Sequence, residues 1–210
     1  MSEKDFDGMA DFFDKMAQTR WLSEVHDQLK NWTGTWSGQS VLDVGCGPGR
    51  ILKRGIGEAA QLTGVDLSPE MIKKAEQNLD SHAELLLGDA YDLPFGNNSF
   101  DISLSTCVMF LLPEPEKGIS EMARVTKGVG TIAMLNPSQQ MDPQHAERYA
   151  DKNEMTGFEK ETLLKWSDVS TLRHRYTGEQ LSFILKKHGV RKTEHHEVLD
   201  GLAIVTIGHL

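Results

Sequence analysis

A short apolar stretch that runs directly into three glycines constrains the fold of this chain more than any other feature. Residues Val41–Gly49 read Val-Leu-Asp-Val-Gly-Cys-Gly-Pro-Gly, and a helix-like run begins at Arg50. The glycines allow a sharp turn and a close approach of a ligand to the backbone, and the first turn of a helix offers free N–H groups. The stretch therefore predicts a strand, a ligand-binding turn and a helix in succession.

Short apolar runs alternate with longer amphipathic ones, which is typical of a mostly parallel sheet covered by helices. We therefore predict an α/β fold in a single domain. The predicted strands are 40–44, 62–66, 84–87, 100–105, 130–135, 191–198 and 202–207, and the predicted helices are 50–60, 69–79, 114–126, 158–166 and 178–188, with one or two more within 5–30. The short 199–201 connection predicts a hairpin, which makes the final strand antiparallel to its neighbour.

The segment from Ser138 to about residue 176 interrupts this pattern. It is polar, dotted with aromatic residues and without an obvious strand. Because so long an excursion from a compact domain usually binds or covers a ligand, we predict a substrate lid. Its candidate base or contact residues are His145, Tyr149, Trp166, His174, Arg175 and Tyr176.

Composition excludes several other classes of protein. The net charge of -9 argues against nucleic-acid binding, which needs clustered Lys and Arg. Only two cysteines, Cys46 and Cys107, are present, without the pairing typical of a zinc site or a disulfide framework. The N-terminus lacks the features of a signal peptide, and no apolar run has membrane-spanning length. We expect a cytoplasmic protein with no metal and no membrane contact.

Two acidic residues indicate the type of ligand. Asp66, about 20 residues after the glycines, is placed to accept hydrogen bonds from a ribose. The dinucleotide pattern G-x-G-x-x-G is not met, because Arg50 stands where it requires the third glycine. Asp43 would repel a pyrophosphate but would suit a cationic ligand. A nucleoside with a sulfonium and an ammonium group, S-adenosylmethionine, meets these requirements.

Four motifs in order give a resemblance to a known family. Residues 41–49, Gly64–Met71 (Gly-Val-Asp-Leu-Ser-Pro-Glu-Met), Gly88–Phe95 (Gly-Asp-Ala-Tyr-Asp-Leu-Pro-Phe) and Ser99–Ile102 (Ser-Phe-Asp-Ile) resemble the motifs of class I methyltransferases. They are most similar to the small ubiquinone/menaquinone-biosynthesis-like (methyltransferase type 11) branch. The resemblance implies a Rossmann-like, mostly parallel seven-stranded sheet with helices on both faces and an antiparallel C-terminal strand. It also divides the single domain into N-terminal helices (1–38), a cofactor-binding core (39–137), a substrate lid after the fifth strand (138–176) and a C-terminal helix and hairpin (177–210).

The resemblance also implies cofactor contacts for individual residues. Gly45, Cys46 and Gly47 would lie against the methionine part of S-adenosylmethionine, and Asp43 would support its ammonium group. Asp66 would accept from the ribose, and Leu67 and Met71 would flank the adenine. The remaining expected contacts are Asp89 and Ala90 at the adenine edge, Ser105 and Thr106 near the reactive methyl, and Arg20 at the carboxylate.

The expected activity is transfer of a methyl group to a small-molecule acceptor by in-line displacement, with S-adenosylhomocysteine as the product. Such a displacement requires no fixed acid/base pair, so the sequence identifies no catalytic residue. Two alternatives stay open: a non-catalytic sensor of S-adenosylmethionine or S-adenosylhomocysteine, and an NAD-dependent oxidoreductase. The acceptor, the atom methylated and the oligomeric state are not encoded in any motif of the chain.

Overall fold

The computed structural model of the chain describes residues 8–210. Phe6 and the rest of the predicted N-terminal helical segment before Gly8 lie outside the described residues. The helices are α1 (Ala10–Met16), α2 (Arg20–Trp32), α3 (Pro69–Leu79), α4 (Pro115–Val125), α5 (Pro143–Lys152), α6 (Gly157–Thr171) and α7 (Gly178–Lys187). The strands are β1 (Ser40–Val44), β2 (Gln61–Asp66), β3 (Glu84–Leu87), β4 (Phe100–Thr106), β5 (Thr126–Pro137), β6 (Lys192–Val198) and β7 (Ala203–His209).

The seven strands within residues 8–210 form one sheet in the order β3-β2-β1-β4-β5-β7-β6. Strands β1 to β5 are parallel to one another, and β7 is antiparallel to both β5 and β6. The predicted Rossmann-like sheet with an antiparallel C-terminal strand is therefore confirmed. Because the strand order reverses at β1, the carboxyl ends of β1 and β4 border a crevice of the kind in which α/β sheets bind ligands.

Local signals explain where several helices begin. Ser68 caps α3 by accepting a hydrogen bond from the Met71 N–H, and Pro69 occupies the first helical position, as the sequence predicted. Thr177 and Gln180 form a reciprocal capping box at the start of α7. These caps position α3 and α7 against the sheet with their first backbone donors satisfied.

The helix predicted over 50–60 is wrong. The chain forms only a short 3-10 helix over Leu52–Gly55, and Ile56 is already extended. Gly55 is required at this point because a Cβ there would lie 2.7 Å from the ring of the buried Trp36. Glycine is a poor helix former, and Gly57, with φ of +80°, turns the chain towards β2.

The segment 138–176 contains more helix than its sequence suggested. The predicted helix over 158–166 extends through α6, and α5 was not predicted at all. Asp142 caps α5 through the His145 N–H and Pro143 is its first residue, so its start signal was present in the sequence. Within residues 8–210, no helix is both long and apolar enough to span a membrane.

Candidate functional site

A cavity of about 490 Å³ lies at the carboxyl ends of the central parallel strands. One side is lined by the turn after β1 (Gly45–Pro48), the end of β2 (Asp66 and Leu67), the chain after β3 (Gly88–Ala90) and the end of β4 (Thr106–Val108). Parallel strands bring their carboxyl ends to one edge of a sheet, so residues far apart in sequence meet here. Most of the residues that the sequence nominated for cofactor contact are in this group.

The glycine turn follows β1 in a conformation that suits glycine. Gly45 and Gly47 have φ of +73° and +49°, which L side chains rarely adopt. A Cβ on Gly45 would overlap the Val108 side chain, whereas a Cβ on Gly47 would meet no protein atom within 4 Å. The glycine at 45 therefore permits packing of the turn against the chain after β4, and Gly47 leaves open space beside the turn.

Asp66 holds this turn from the end of β2. Its carboxylate accepts hydrogen bonds from the Gly47 N–H at 2.8 Å and from the Ser68 N–H at 2.9 Å. Burial raises the pKa of Asp66, although the backbone N–H groups of Ser68 and Gly47 oppose that rise. A carboxylate can accept about four hydrogen bonds, so this lining residue keeps capacity for hydroxyl groups of a ligand.

Asp43 lies beneath the same turn and is almost fully enclosed. It is 1% exposed, and neither carboxylate oxygen has a hydrogen-bond partner among the described residues. Burial, and then the nearby Asp66, raise the pKa of Asp43 to about 8. It does not line the cavity directly. An unpaired buried carboxyl is costly, so this position favours a cation placed near it.

The adenine side proposed from the resemblance is a shelf between β2 and β3. Leu67 and the buried Met71 line the cavity together with Asp89 and Ala90. One oxygen of Asp89 accepts from the Tyr91 N–H at 2.9 Å, which fixes the carboxylate at the rim. The structure thus brings all four of these nominated residues to one side of the cavity.

The two nominated residues at the end of β4 differ in their surroundings. Thr106 lines the cavity, but Ser105 is 1% exposed and donates to the Val44 carbonyl at 3.0 Å, away from the lining. Cys107 also lines the cavity and has φ of +60°. Burial raises the pKa of the Cys107 thiol to about 12, so it is a poor nucleophile.

Arg20 does not line the cavity. Its guanidinium donates to the Asn153 carbonyl at 3.0 Å and lies near Glu159. The arginine of the lining is Arg50, which forms a two-point ion pair with Asp14 of α1, through Nε at 2.7 Å and Nη2 at 2.8 Å. The sequence identified Arg50 only as a departure from the dinucleotide motif.

The far side of the cavity is apolar and aromatic. It is formed by α1, α2, the chain after β4, and α6, which contribute Phe12, Phe13, Met16, Leu22, His26, Phe110, Trp166 and Val169. Trp166 stacks on Trp21 with a centroid distance of 5.3 Å, and Phe12 packs edge-on against Phe158 of α6 at 5.5 Å. These contacts join α1, α2 and α6 into a wall over the strand ends.

Of the candidates in the excursion, all of which the structure describes, Trp166 alone is in the lining of this cavity. His145 pairs with Asp142, and Arg175 donates to the Met141 carbonyl. His26 was not nominated by the sequence, because a lone histidine within an amphipathic helix carries no motif. The aromatic face of α1 was visible as helical periodicity, although its position over a cavity was not.

Comparison with known proteins gives a family match over the central part of the chain and relatives over longer stretches. Residues 42–134 match a family model described as a methyltransferase domain. A demethylmenaquinone methyltransferase of Desulfitobacterium hafniense is 38% identical over 120 residues, which are 53% of this chain and 47% of that protein. One from Bacillus licheniformis is 26% identical over 229 aligned positions, covering 98% of this chain and 91% of the relative.

The fold is also shared with a solved structure. A chain of the complex between the Haloferax volcanii Trm112 methyltransferase activator and a methyltransferase superposes with a TM-score of 0.76 at 19% identity, covering 100% of this chain and 97% of that one. Apart from the Bacillus protein, the chain spans about half the length of the first relatives it matches. The family match includes the glycine turn, Asp66, Asp89 and the end of β4, but excludes α1, α2 and α6.

Proposed function

Since residues 42–134 match a family model described as a methyltransferase domain, we propose that this chain is an S-adenosylmethionine-dependent methyltransferase that acts on a small apolar molecule. The relatives named as demethylmenaquinone methyltransferases support a small-molecule acceptor. The observation that carries the proposal is the two-sided cavity. Polar strand ends line one side, and aromatic helices line the other.

The polar side fits S-adenosylmethionine by its chemistry. Asp66 keeps accepting capacity for ribose hydroxyls, and Leu67 and Met71 offer apolar surface to a base. The enclosed, unpaired carboxyl of Asp43 favours a cationic group close to the turn, and Gly47 leaves open space there. We assign the cofactor contacts to these residues together with Gly45, Cys46, Asp89, Ala90 and Thr106.

When bound, the cofactor supplies a methyl group that is activated by its sulfonium leaving group. The chain's own contribution is to position the acceptor and to exclude water. The walls from α1 and α6 do both, because Phe12, Trp166 and Val169 give the apolar side of the cavity its surface. This half would have little use in a pure cofactor sensor, so its presence supports an enzyme over that alternative.

We also propose that residues 138–176 act as the acceptor lid. Within this segment α6 supplies cavity-lining residues, whereas none of the lining residues lies on α5. Arg20 is not included in the proposed cofactor site, because its guanidinium is already engaged at the carboxyl end of α5. Ser105 is assigned a supporting role through its bond to the Val44 carbonyl.

Calorimetric titration with S-adenosylmethionine and S-adenosylhomocysteine tests the proposal, with NADH as a control ligand. We expect Asp66→Ala to raise both dissociation constants about 10- to 100-fold, because hydrogen bonds to a charged group are lost. The matched control is Glu76→Ala on the exposed face of α3, which should leave both constants unchanged.

Asp66 also holds Gly47, so the unfolding midpoint of each variant is measured in parallel. Binding of NADH but of neither adenosyl ligand would refute the proposal and would favour the oxidoreductase. Binding that Asp66→Ala leaves intact would refute the assignment of the ribose contact.

A further inference from the structure

One buried imidazole interrupts the apolar half of the cavity. His26 lies on α2 one turn after Leu22, and both side chains line the cavity. His26 is 4% exposed and belongs to the α2 wall, whereas the proposed cofactor contacts lie at the strand ends. The polar neighbours on α6 are different, since Lys165 and Asp168 are exposed.

The imidazole has no hydrogen bond to any of residues 8–210, and its Nδ1 is completely enclosed without a partner. By contrast, Thr162 in the same wall accepts from the Trp21 indole and donates to the Glu159 carbonyl. His195 elsewhere in the chain has partners for both ring nitrogens. Because Nδ1 is enclosed, a ligand in the cavity can pair only with the other ring nitrogen, Nε2, and such a hydrogen bond adds affinity.

The protonation state limits what His26 can do. Burial, and then the positive charge of Arg54, lower the pKa of His26 to about 3. The ring is therefore neutral at physiological pH, with one donor and one acceptor nitrogen. An enclosed N–H without an acceptor is rarer than an unused lone pair, which favours the tautomer with the proton on Nε2. Nε2 is then the nitrogen available to a ligand, and it is a donor.

We propose that His26 determines acceptor specificity: its Nε2–H donates a hydrogen bond to an oxygen atom of the methyl acceptor. The inference rests on the proposed function, because it takes the helical half of the cavity as the acceptor site. It adds a chemical class to that function. The acceptor is a largely apolar molecule that carries at least one oxygen, and an analogue without that oxygen leaves the Nε2–H donor unpaired.

A matched pair of probes tests this proposal. With S-adenosylhomocysteine at saturation, 1-indanone and indane are titrated calorimetrically into wild type, His26→Leu, His26→Gln and Gln28→Leu. The two probes share their ring shape, and only 1-indanone carries a carbonyl oxygen. We expect His26→Leu to reduce the affinity ratio of 1-indanone to indane at least tenfold. His26→Gln, which retains an N–H donor, should restore part of the ratio, and Gln28→Leu, on the exposed face of α2, should retain it.

Titration of S-adenosylhomocysteine alone tests the proposed function separately from the proposed role of His26. Its affinity should be equal in wild type and His26→Leu, and thermal unfolding checks that each variant is folded. A loss of that affinity in His26→Leu would place His26 at the cofactor and overturn the proposal. An unchanged probe ratio, or failure of both probes to bind wild type, would also overturn it. Failure of wild type to bind S-adenosylhomocysteine would instead refute the proposed function.

Discussion

At the scale of single residues, two buried titratable groups make the stability of the protein depend on pH in opposite directions. The folded-state pKa of Asp43, about 8, lies above its ordinary value of 3.8, so its stability contribution is complete below pH 3.8 and is lost as pH rises through 8. The folded-state pKa of His26, about 3, lies below 6.5, so its contribution is complete above pH 6.5 and is lost as pH falls towards 3. The two effects oppose each other between pH 3.8 and 6.5, and Asp43 dominates above that range.

The raised pKa of Asp43 predicts a pH dependence for the stability of the protein without ligand. Between pH 6.5 and 8.0, the free energy of unfolding of wild type should fall by roughly 1–2 kcal/mol relative to Asp43→Asn, because only the wild-type carboxyl must ionise while buried. Urea unfolding of both proteins at three pH values in this window measures the difference.

Asp101 supplies the matched control. Burial would raise the pKa of Asp101, but hydrogen bonds from Lys127 and Ser40 outweigh that effect and lower it to about 2. Asp101→Asn should therefore change stability by the same amount at every pH in the window. Parallel curves for wild type and Asp43→Asn would contradict the assignment of a neutral, enclosed carboxyl to Asp43.

The sequence identified some residues of the candidate site and missed others. Asp66, Asp89 and the glycines were found because a motif holds residue type and spacing together, and all of them lie at the cavity or its turn. Arg20 was nominated by analogy alone, and tertiary contacts with Asn153 and Glu159 hold it elsewhere. His26 became visible only when folding placed one face of α2 over the strand ends.

At the scale of elements, Asp14 links α1 to the glycine turn. Its carboxylate accepts from Arg50 and from the Asn78 amide, and the same amide donates to the Pro48 carbonyl of the turn. The Asp14 and Arg50 side chains are only 14% and 18% exposed. Their charge-assisted bonds should therefore contribute more than those of a typical surface pair.

We predict that Asp14→Ala lowers the free energy of unfolding by roughly 1–2 kcal/mol and raises the dissociation constant of S-adenosylhomocysteine several-fold. The physical reason is the loss of the link between α1 and the turn. Asp11→Ala is the matched control on the same helix, since Asp11 pairs with Lys74 but is 78% exposed. Urea unfolding and calorimetry measure both quantities, and equal effects of the two substitutions would contradict the prediction.

The helices and strands were predictable to different degrees. Apolar runs bounded by glycine or polar residues located the five parallel strands, because a buried parallel strand needs a continuous apolar stretch, whereas the polar β6 was located by the short connection that joins it to β7. The helix predicted over 50–60 failed because packing of Trp36 on Gly55 outweighed local helical periodicity. The helix α5 was missed, although Asp142-Pro143 is a start signal, because its sequence is mostly polar and its buried residues are the small Ala146 and Ala150.

At the scale of the whole molecule, the cavity joins strand ends that the family model includes to walls that it does not. Residues 42–134 provide the strand ends and the chain after β4 with Phe110, while α1, α2 and α6 provide the rest of the apolar half. The sequence could identify the first part by motif. It could only nominate the second part, because wall contacts such as Trp21 with Trp166 join positions that are far apart in the chain and share no pattern.

We predict that ligand binding protects both halves of the cavity but not the rest of the lid segment. Addition of S-adenosylhomocysteine should slow amide hydrogen exchange at residues 45–50 and 66–71, and in α1 and α6, because a filled cavity restrains its walls. Exchange in α5, which contributes no lining residue, should change little. Hydrogen-exchange mass spectrometry measures this pattern, and equal protection of α5 and α6 would contradict it.

The position of β7 has a consequence for how the chain folds during synthesis. β6 leaves the ribosome before β7, yet within residues 8–210 β7 is its only neighbour in the sheet. The five parallel strands β1 to β5 can assemble from residues already translated, whereas β6 has no partner until residues 203–209 have emerged. The newly made protein therefore passes through a stage in which its five parallel strands are complete and the edge of β5 is still open.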